Sequence, residues 1–247
     1  CTAVVEETHS DNMFQLTPSA TAVDSIQYDN AFRMCFSDPN QGSASADYIA
    51  ENKLATKVAI IYNSSDTYSS GIYQTFATEA KAKGLDVVAA EAFTADNKTD
   101  FSVQIQKAKD AGAELVFLPI YYQEASLILA QANKAGFTPK WFGCDGMDGI
   151  LDLDGFDASL AEDLMFLTPF TANATDEATQ KFVADYKEAF GDTPIQFAAD
   201  AYDCVYVIKA AAEKEDVTPD KSVSDICDAL KKGMTEITYD GLTGKSI

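Results

Sequence analysis

The sequence predicts an α/β fold built on a parallel, doubly wound sheet. Helical periodicity stops at Gly84, Gly112 and Gly136, and an apolar strand follows each glycine. Thr56-Lys57-Val58-Ala59-Ile60-Ile61-Tyr62 is a near-continuous apolar strand, the mark of a sheet covered on both faces. Helix–glycine–strand repeats of this kind are the pattern of βαβ units.

The elements follow in order. Met13 to Leu16 reads as a short strand running into the turn Leu16-Thr17-Pro18-Ser19-Ala20-Thr21. A small-residue turn at a strand end offers backbone N–H groups and hydroxyls to a zwitterion or anion, although the same residues are ordinary loop formers. A helix from about Gly71 to Lys83 turns Ile72, Phe76 and Ala80 to one face, and Leu85 to Ala90 is the next strand. Phe101 to Ala111 is a helix with Val103, Ile105 and Ala108 inward, followed by the strand Glu114 to Pro119. Gln123 to Ala135 and Lys140 to Cys144 repeat the unit.

After Ala161 the pattern changes. Asp163 to Thr168 reads as a strand and Pro169 to Asn173 as a crossing segment. Thr175 is expected to cap a helix that turns Phe182, Tyr186 and Phe190 inward. Long helices are expected at Phe197 to Glu215 and about Ser222 to Lys232. No further glycine-terminated unit occurs here, so this portion must complete a sheet with Cys1 to Phe36.

Composition narrows the function. With 247 residues, 47% of them apolar, the chain can bury a substantial core and is not disordered in general. A net charge of −21 argues against nucleic acid or an anionic membrane surface as partner. The best apolar run, Leu115 to Tyr122, is far short of the ~18 residues a membrane span needs, and no signal peptide is seen. The five cysteines are odd in number, widely spaced and without a C-x-x-C pair, so buried free thiols are expected. Cys1 raises the lipoprotein question. The apolar and acidic residues of Thr2 to Glu7 follow at helical spacing, so Cys1 is expected inside an element that starts upstream, in a fragment.

Enzyme signatures are absent. The single histidine, His9, lies in an acidic helical stretch, and there is no Gly-x-Ser-x-Gly elbow and no Gly-x-Gly-x-x-Gly after a strand. Gly244-Lys245-Ser246 lacks the phosphate-loop glycine, which would fall at Tyr239, and reads as a turn. The run Asp145, Asp148, Asp152, Asp154, Asp157 does not have EF-hand spacing, and neither a metal nor a cofactor is expected. Three residues share strand-end placement: Tyr68 past the strand ending at Tyr62, Tyr121 past Ile120, and Asp145 between Gly143 and Gly146. Tyr, Tyr and Asp on one edge of a parallel sheet suggest a ligand cleft, with the carboxylate suited to an ammonium group.

Asn12-Met13-Phe14-Gln15-Leu16-Thr17-Pro18-Ser19-Ala20-Thr21 resembles the strand and turn of type I periplasmic binding proteins, those serving branched-chain amino acid ABC transporters above all. The resemblance continues through Arg33 to Gly42, Asp66-Thr67-Tyr68-Ser69-Ser70-Gly71, Asp100-Phe101-Ser102 and Gly143-Cys144-Asp145-Gly146, and ends at Gly241-Leu242-Thr243-Gly244. It implies two α/β lobes, each a parallel doubly wound sheet: residues 1–36 and 169–247 in a partial lobe 1, residues 37–168 in lobe 2. The family's opening lobe 1 elements, with a serine that shares the ligand carboxylate, would lie upstream of Cys1.

The resemblance also implies the roles. The Ser19 backbone, Ala20 and the Thr21 N–H and hydroxyl would hold the charged end of an amino acid. Tyr68, Tyr121 and Asp145 would close from lobe 2, aspartate standing where glutamate is common, and Phe197 would line the side-chain pocket. The implied protein is extracytoplasmic and delivers an L-amino acid, branched-chain or aliphatic, to a membrane permease. A ligand-sensing domain of a receptor with the same fold is the alternative.

Overall fold

A computed structural model describes residues 1–245, so Ser246 of the expected Gly244-Lys245-Ser246 turn lies outside the described residues. The chain divides into two compact units, Cys1–Ser37 with Pro169–Ile247, and Asp38–Thr168.

The second unit is a five-stranded sheet, all parallel. Its strands are β3 (Lys57–Asn63), β4 (Asp86–Phe93), β5 (Leu115–Leu118), β6 (Lys140–Gly143) and β7 (Met165–Phe166), in the order β4-β3-β5-β6-β7. The helices are α2 (Asp38–Glu51), α3 (Thr67–Ala82), α4 (Ser102–Asp110) and α5 (Tyr122–Lys134). Side chains of a strand alternate between faces, and both faces here are apolar. Val58 and Ile60 of β3 and Leu115 and Phe117 of β5 meet Ile49, Ile72 and Phe76 of α2 and α3. Ala59, Ile61, Val116 and Leu118 meet Ile105, Ile128 and Leu129 of α4 and α5 on the other face. Phe76 and Phe117 stack with centroids 3.9 Å apart and are fully buried, each worth about 2–3 kcal/mol of burial.

Strand order fixes where a site can form. From β3 the chain moves outward to β4, then returns past β3 to β5 and onward. The reversal falls between β3 and β5, and in open parallel sheets the crevice at such a switch point opens at the carboxyl ends of the strands.

The first unit holds α1 (Val5–Ser10), β1 (Gln15–Thr17), β2 (Ala31–Arg33), α6 (Glu177–Phe190), α7 (Gln196–Lys214) and α8 (Val223–Glu236). β1 and β2 pair in parallel, Leu16 opposite Phe32, and α7 packs on β1. Phe170, Phe182, Val183 and Ala199 form its core, with Leu242 against them.

Several local expectations are corrected. α3 starts four residues before Gly71, because the Asp66 side chain accepts the Tyr68 N–H and caps the first turn. Val103 is 61% exposed: Phe101, Ile105 and Ala108 are the spacing that turns α4 inward, and Val103 falls between them. Phe190 is 71% exposed at the last turn of α6. Asp176, not Thr175, caps α6, accepting the Thr179 N–H at 2.9 Å. Met13 precedes rather than begins β1, and Cys1 is exposed, whereas Cys35, Cys144, Cys204 and Cys227 are buried. The three glycines that end helices take φ of 76°, 70° and 63°, which suits a residue without Cβ.

Candidate functional site

At the carboxyl edge of the second unit, three loops converge. Tyr68 is the second residue of α3, Tyr121 precedes α5, and Asp145 follows β6 in a short 3-10 turn, Asp145–Met147. The Tyr68 hydroxyl donates to Asp145 Oδ1 at 2.6 Å and accepts the Gly146 N–H at 3.0 Å. The rings of Tyr68 and Tyr121 stack, centroids 4.8 Å apart and 25° between planes. Asp145 and Tyr68 are 4% and 6% exposed, whereas Tyr121 keeps 44% of its surface open.

Gly146 is required by this crowding. A Cβ there would lie 2.8 Å from the Tyr68 hydroxyl, 2.9 Å from the Ile120 carbonyl and 3.1 Å from the Tyr121 ring. No side chain fits between the two tyrosines and the turn.

The electrostatics follow from burial. Desolvation pushes the Asp145 carboxyl above the usual range, while the Tyr68 hydroxyl, the Gln41 side chain and the Gly146 N–H pull it back. Burial, with the adjacent Asp145 charge, drives the Tyr68 phenol well above its ordinary value, so it stays a neutral donor. Tyr121 is raised by burial and by the charges of Asp66, Asp145 and Asp38, and the Cys144 thiol by burial and Asp145. The edge therefore gathers carboxyl groups around phenol donors that stay protonated.

Sequence reasoning missed the contribution of α2. Asp38, Gln41 and Ser45 are buried polar residues on its inner face. Gln41 Oε1 accepts the Asp145 N–H at 3.0 Å. The legible signal was Asp38-x-x-Gln41-x-x-x-Ser45, polar residues at helical spacing on the side that Ala46 and Ile49 bury.

In the first unit the turn after β1 is built by its own side chains. The Ala20 N–H donates to Thr17 Oγ1 at 3.0 Å, and its carbonyl accepts the Ser25 hydroxyl at 3.1 Å. Arg33 Nη1 donates to the Thr21 carbonyl at 2.7 Å. Among the described residues, the N–H and hydroxyl groups of Ser19 and Thr21 donate to no protein acceptor. Thr21 is buried and Ser19 half-buried. Phe197 is the second residue of α7, half-buried, on the helix that packs on β1.

Two hollows of the second unit lie away from this edge. One, about 330 Å³, is bordered by Phe137, Trp141 and Leu160, and the other, about 530 Å³, by Ile105, Gln106 and Gln131. No cluster of His, Cys, Asp and Glu that could hold a metal occurs among the described residues, and no helix there is long and apolar enough to cross a membrane.

A family model described as periplasmic binding protein matches residues 1–247. This chain belongs to the periplasmic binding protein family. Within it, the chain groups with the type I proteins of the branched-chain amino acid class. It is 29% identical over 235 residues to a Leu/Ile/Val-binding protein homolog of Brucella melitensis, covering 93% of this chain and 61% of the relative. It is 28% identical over 229 residues to a leucine-, isoleucine-, valine-, threonine- and alanine-binding protein of Pseudomonas aeruginosa, covering 92% and 59%. Among solved structures, a leucine binding protein of Thermotoga maritima superposes with a TM-score of 0.82 at 25% identity, over 98% of this chain and 67% of that one. A branched-chain amino acid transporter substrate binding protein of Streptococcus pneumoniae, solved with isoleucine, gives 0.81 at 26%, over 99% and 67%. The chain thus spans about three fifths of the length of the curated relatives. The periplasmic binding protein family consists of binding proteins, and its members work outside the cytoplasm.

Proposed function

We propose that the protein carrying this chain is an extracytoplasmic solute-binding protein that captures an aliphatic L-amino acid between two lobes and delivers it to an ABC transporter permease. The observation that carries this reading is the buried Asp145 carboxylate tied to Tyr68, beneath the stacked and partly open Tyr121. A carboxylate beside two aromatic faces is a receptor for an ammonium group. Relatives support the ligand class, since the Streptococcus pneumoniae protein was solved with isoleucine.

In this reading residues 1–36 and 169–247 form one lobe and residues 37–168 the other, with crossings near 36 and 169. The Ser19 backbone, Ala20 and the Thr21 N–H and hydroxyl take the charged end of the amino acid. Hinge closure then brings Tyr68, Tyr121 and Asp145 over the ammonium, while Phe197 lines the side-chain pocket. The protein binds without turnover and needs no cofactor.

Calorimetry of the full-length protein against L-leucine, L-isoleucine and L-valine tests this. Micromolar binding, about −8 kcal/mol, is expected, with a loss of ~2–5 kcal/mol in Asp145→Ala, the scale for breaking a buried charged pair. Absence of heat and of thermal stabilisation with every L-amino acid rejects the reading.

A further inference from the structure

We propose that Gln41 is the positioning residue of this site: its carboxamide locks the Asp145 turn from α2 and fixes the direction in which the carboxylate faces its ligand. The inference rests on the amino acid-binding reading above and extends it to a residue outside the tyrosine–aspartate cluster.

Gln41 is 1% exposed and bonds an element far away in sequence: its Oε1 accepts the Asp145 N–H at 3.0 Å. A glutamine rarely sits this deep without full use of its amide, because a buried unpaired donor costs about 1–3 kcal/mol. Its Nε2 makes no hydrogen bond among the described residues, and the side chain as a whole favours the charged form of the Asp145 carboxyl. The amide therefore holds Asp145 by its backbone and keeps one buried donor, Nε2, uncommitted.

Gln41 is itself fixed in place. It precedes Gly42, where a Cβ would lie 2.6 Å from the Ile72 carbonyl and 2.8 Å from the Phe76 nitrogen, so α2 and α3 touch backbone to backbone there. Gln41 from α2 and Tyr68 from α3 then grip one aspartate from two rigid elements. Sites held by supports of this kind keep their geometry within tenths of an ångström. The groups around Asp145 that also titrate are Tyr68, Tyr121, Cys144 and Asp38, with Asp66 and Glu124 beyond Tyr121.

The test is titration of the Asp145 carboxyl by carbon-13 NMR in the full-length, ligand-free protein, assigned with Asp145→Asn. Gln41→Met removes both amide roles, and Gln41→Glu keeps an acceptor for the Asp145 N–H but puts a carboxyl where the donor was. The Asp145 midpoint is expected to rise by about one pH unit in Gln41→Met and further in Gln41→Glu. The pH below which L-leucine binding weakens should move up with it. If Gln41→Met does not fold, Gln41→Glu alone is read. An unshifted Asp145 midpoint overturns the proposal, including the case in which only the melting temperature falls. Wild-type protein that ignores all L-amino acids removes the ligand reading, while the ligand-free titration still decides the role of Gln41.

Discussion

The Tyr68 hydroxyl is wedged between Asp145 Oδ1, to which it donates at 2.6 Å, and the Gly146 N–H, from which it accepts at 3.0 Å. One phenol oxygen thus ties the start of α3 to the turn after β6, across two strand ends of the same sheet. The bond does two jobs. It satisfies a buried backbone donor, and it leaves the carboxylate with a strong donor before any ligand arrives.

Replacing Tyr68 by Phe isolates this oxygen, since the ring and its stack on Tyr121 remain. The Gly146 N–H and one Asp145 oxygen lose a partner in a buried site, so a loss of about 1–3 kcal/mol in urea denaturation is expected. The Asp145 carboxyl, raised by burial and lowered by Tyr68, should titrate at a still higher pH in the variant. A variant with wild-type stability and an unmoved Asp145 titration would show that the bond carries no energy.

Asp145 also sets a pH dependence. Burial raises its folded pKa above the unfolded value, so the folded state holds this proton more tightly. Its favourable contribution is fully present below the unfolded pKa and is lost as pH rises through the folded pKa. Where the carboxyl is ionised, its burial is a net cost to the ligand-free protein. Asp145→Asn is therefore expected to be as stable as wild type or more so at pH 7, an advantage that shrinks toward acid pH. It should nonetheless bind L-leucine at least about tenfold more weakly. Thermal melts from pH 4 to pH 8, with calorimetry at pH 7, check both halves. A variant less stable at pH 7 than at pH 4, relative to wild type, contradicts the sign.

The fold was legible because its signals are local and repeated. Gly84, Gly112 and Gly136 punctuate three units, and β3 and β5 alternate their side chains between two helical layers. Boundaries were less legible: Asp66 and Asp176 begin helices through side-chain caps that periodicity does not register. Tyr68, Tyr121 and Asp145 could be picked out as strand-end residues, and the sheet order brings them to one edge. For Gln41 only the inward placement was legible, because its role depends on a hydrogen bond to a residue 104 positions away. Helix spacing says that a polar residue faces inward, not what waits for it there.

A last prediction concerns Asp203, whose contribution is structural. It is fully buried on α7, where Oδ1 accepts the Leu242 N–H at 3.0 Å and Oδ2 accepts the Thr243 N–H and hydroxyl, each at 2.8 Å. One carboxylate thus anchors residues 242 and 243 and seats Leu242 against the Phe170 and Phe182 core. Asp203→Ala leaves three donors without an acceptor, and charge-assisted bonds are the stronger kind, so a loss of about 2–4 kcal/mol is expected. Asp203→Asn keeps one acceptor oxygen and should lose roughly half as much. Urea denaturation gives the energies, and hydrogen exchange gives the mechanism: the Leu242 and Thr243 amides should exchange faster in both variants while those of β3 and β5 do not change. Uniform acceleration across β3, β5 and residues 242–243 would instead mean that Asp203 supports the whole chain rather than this one anchor.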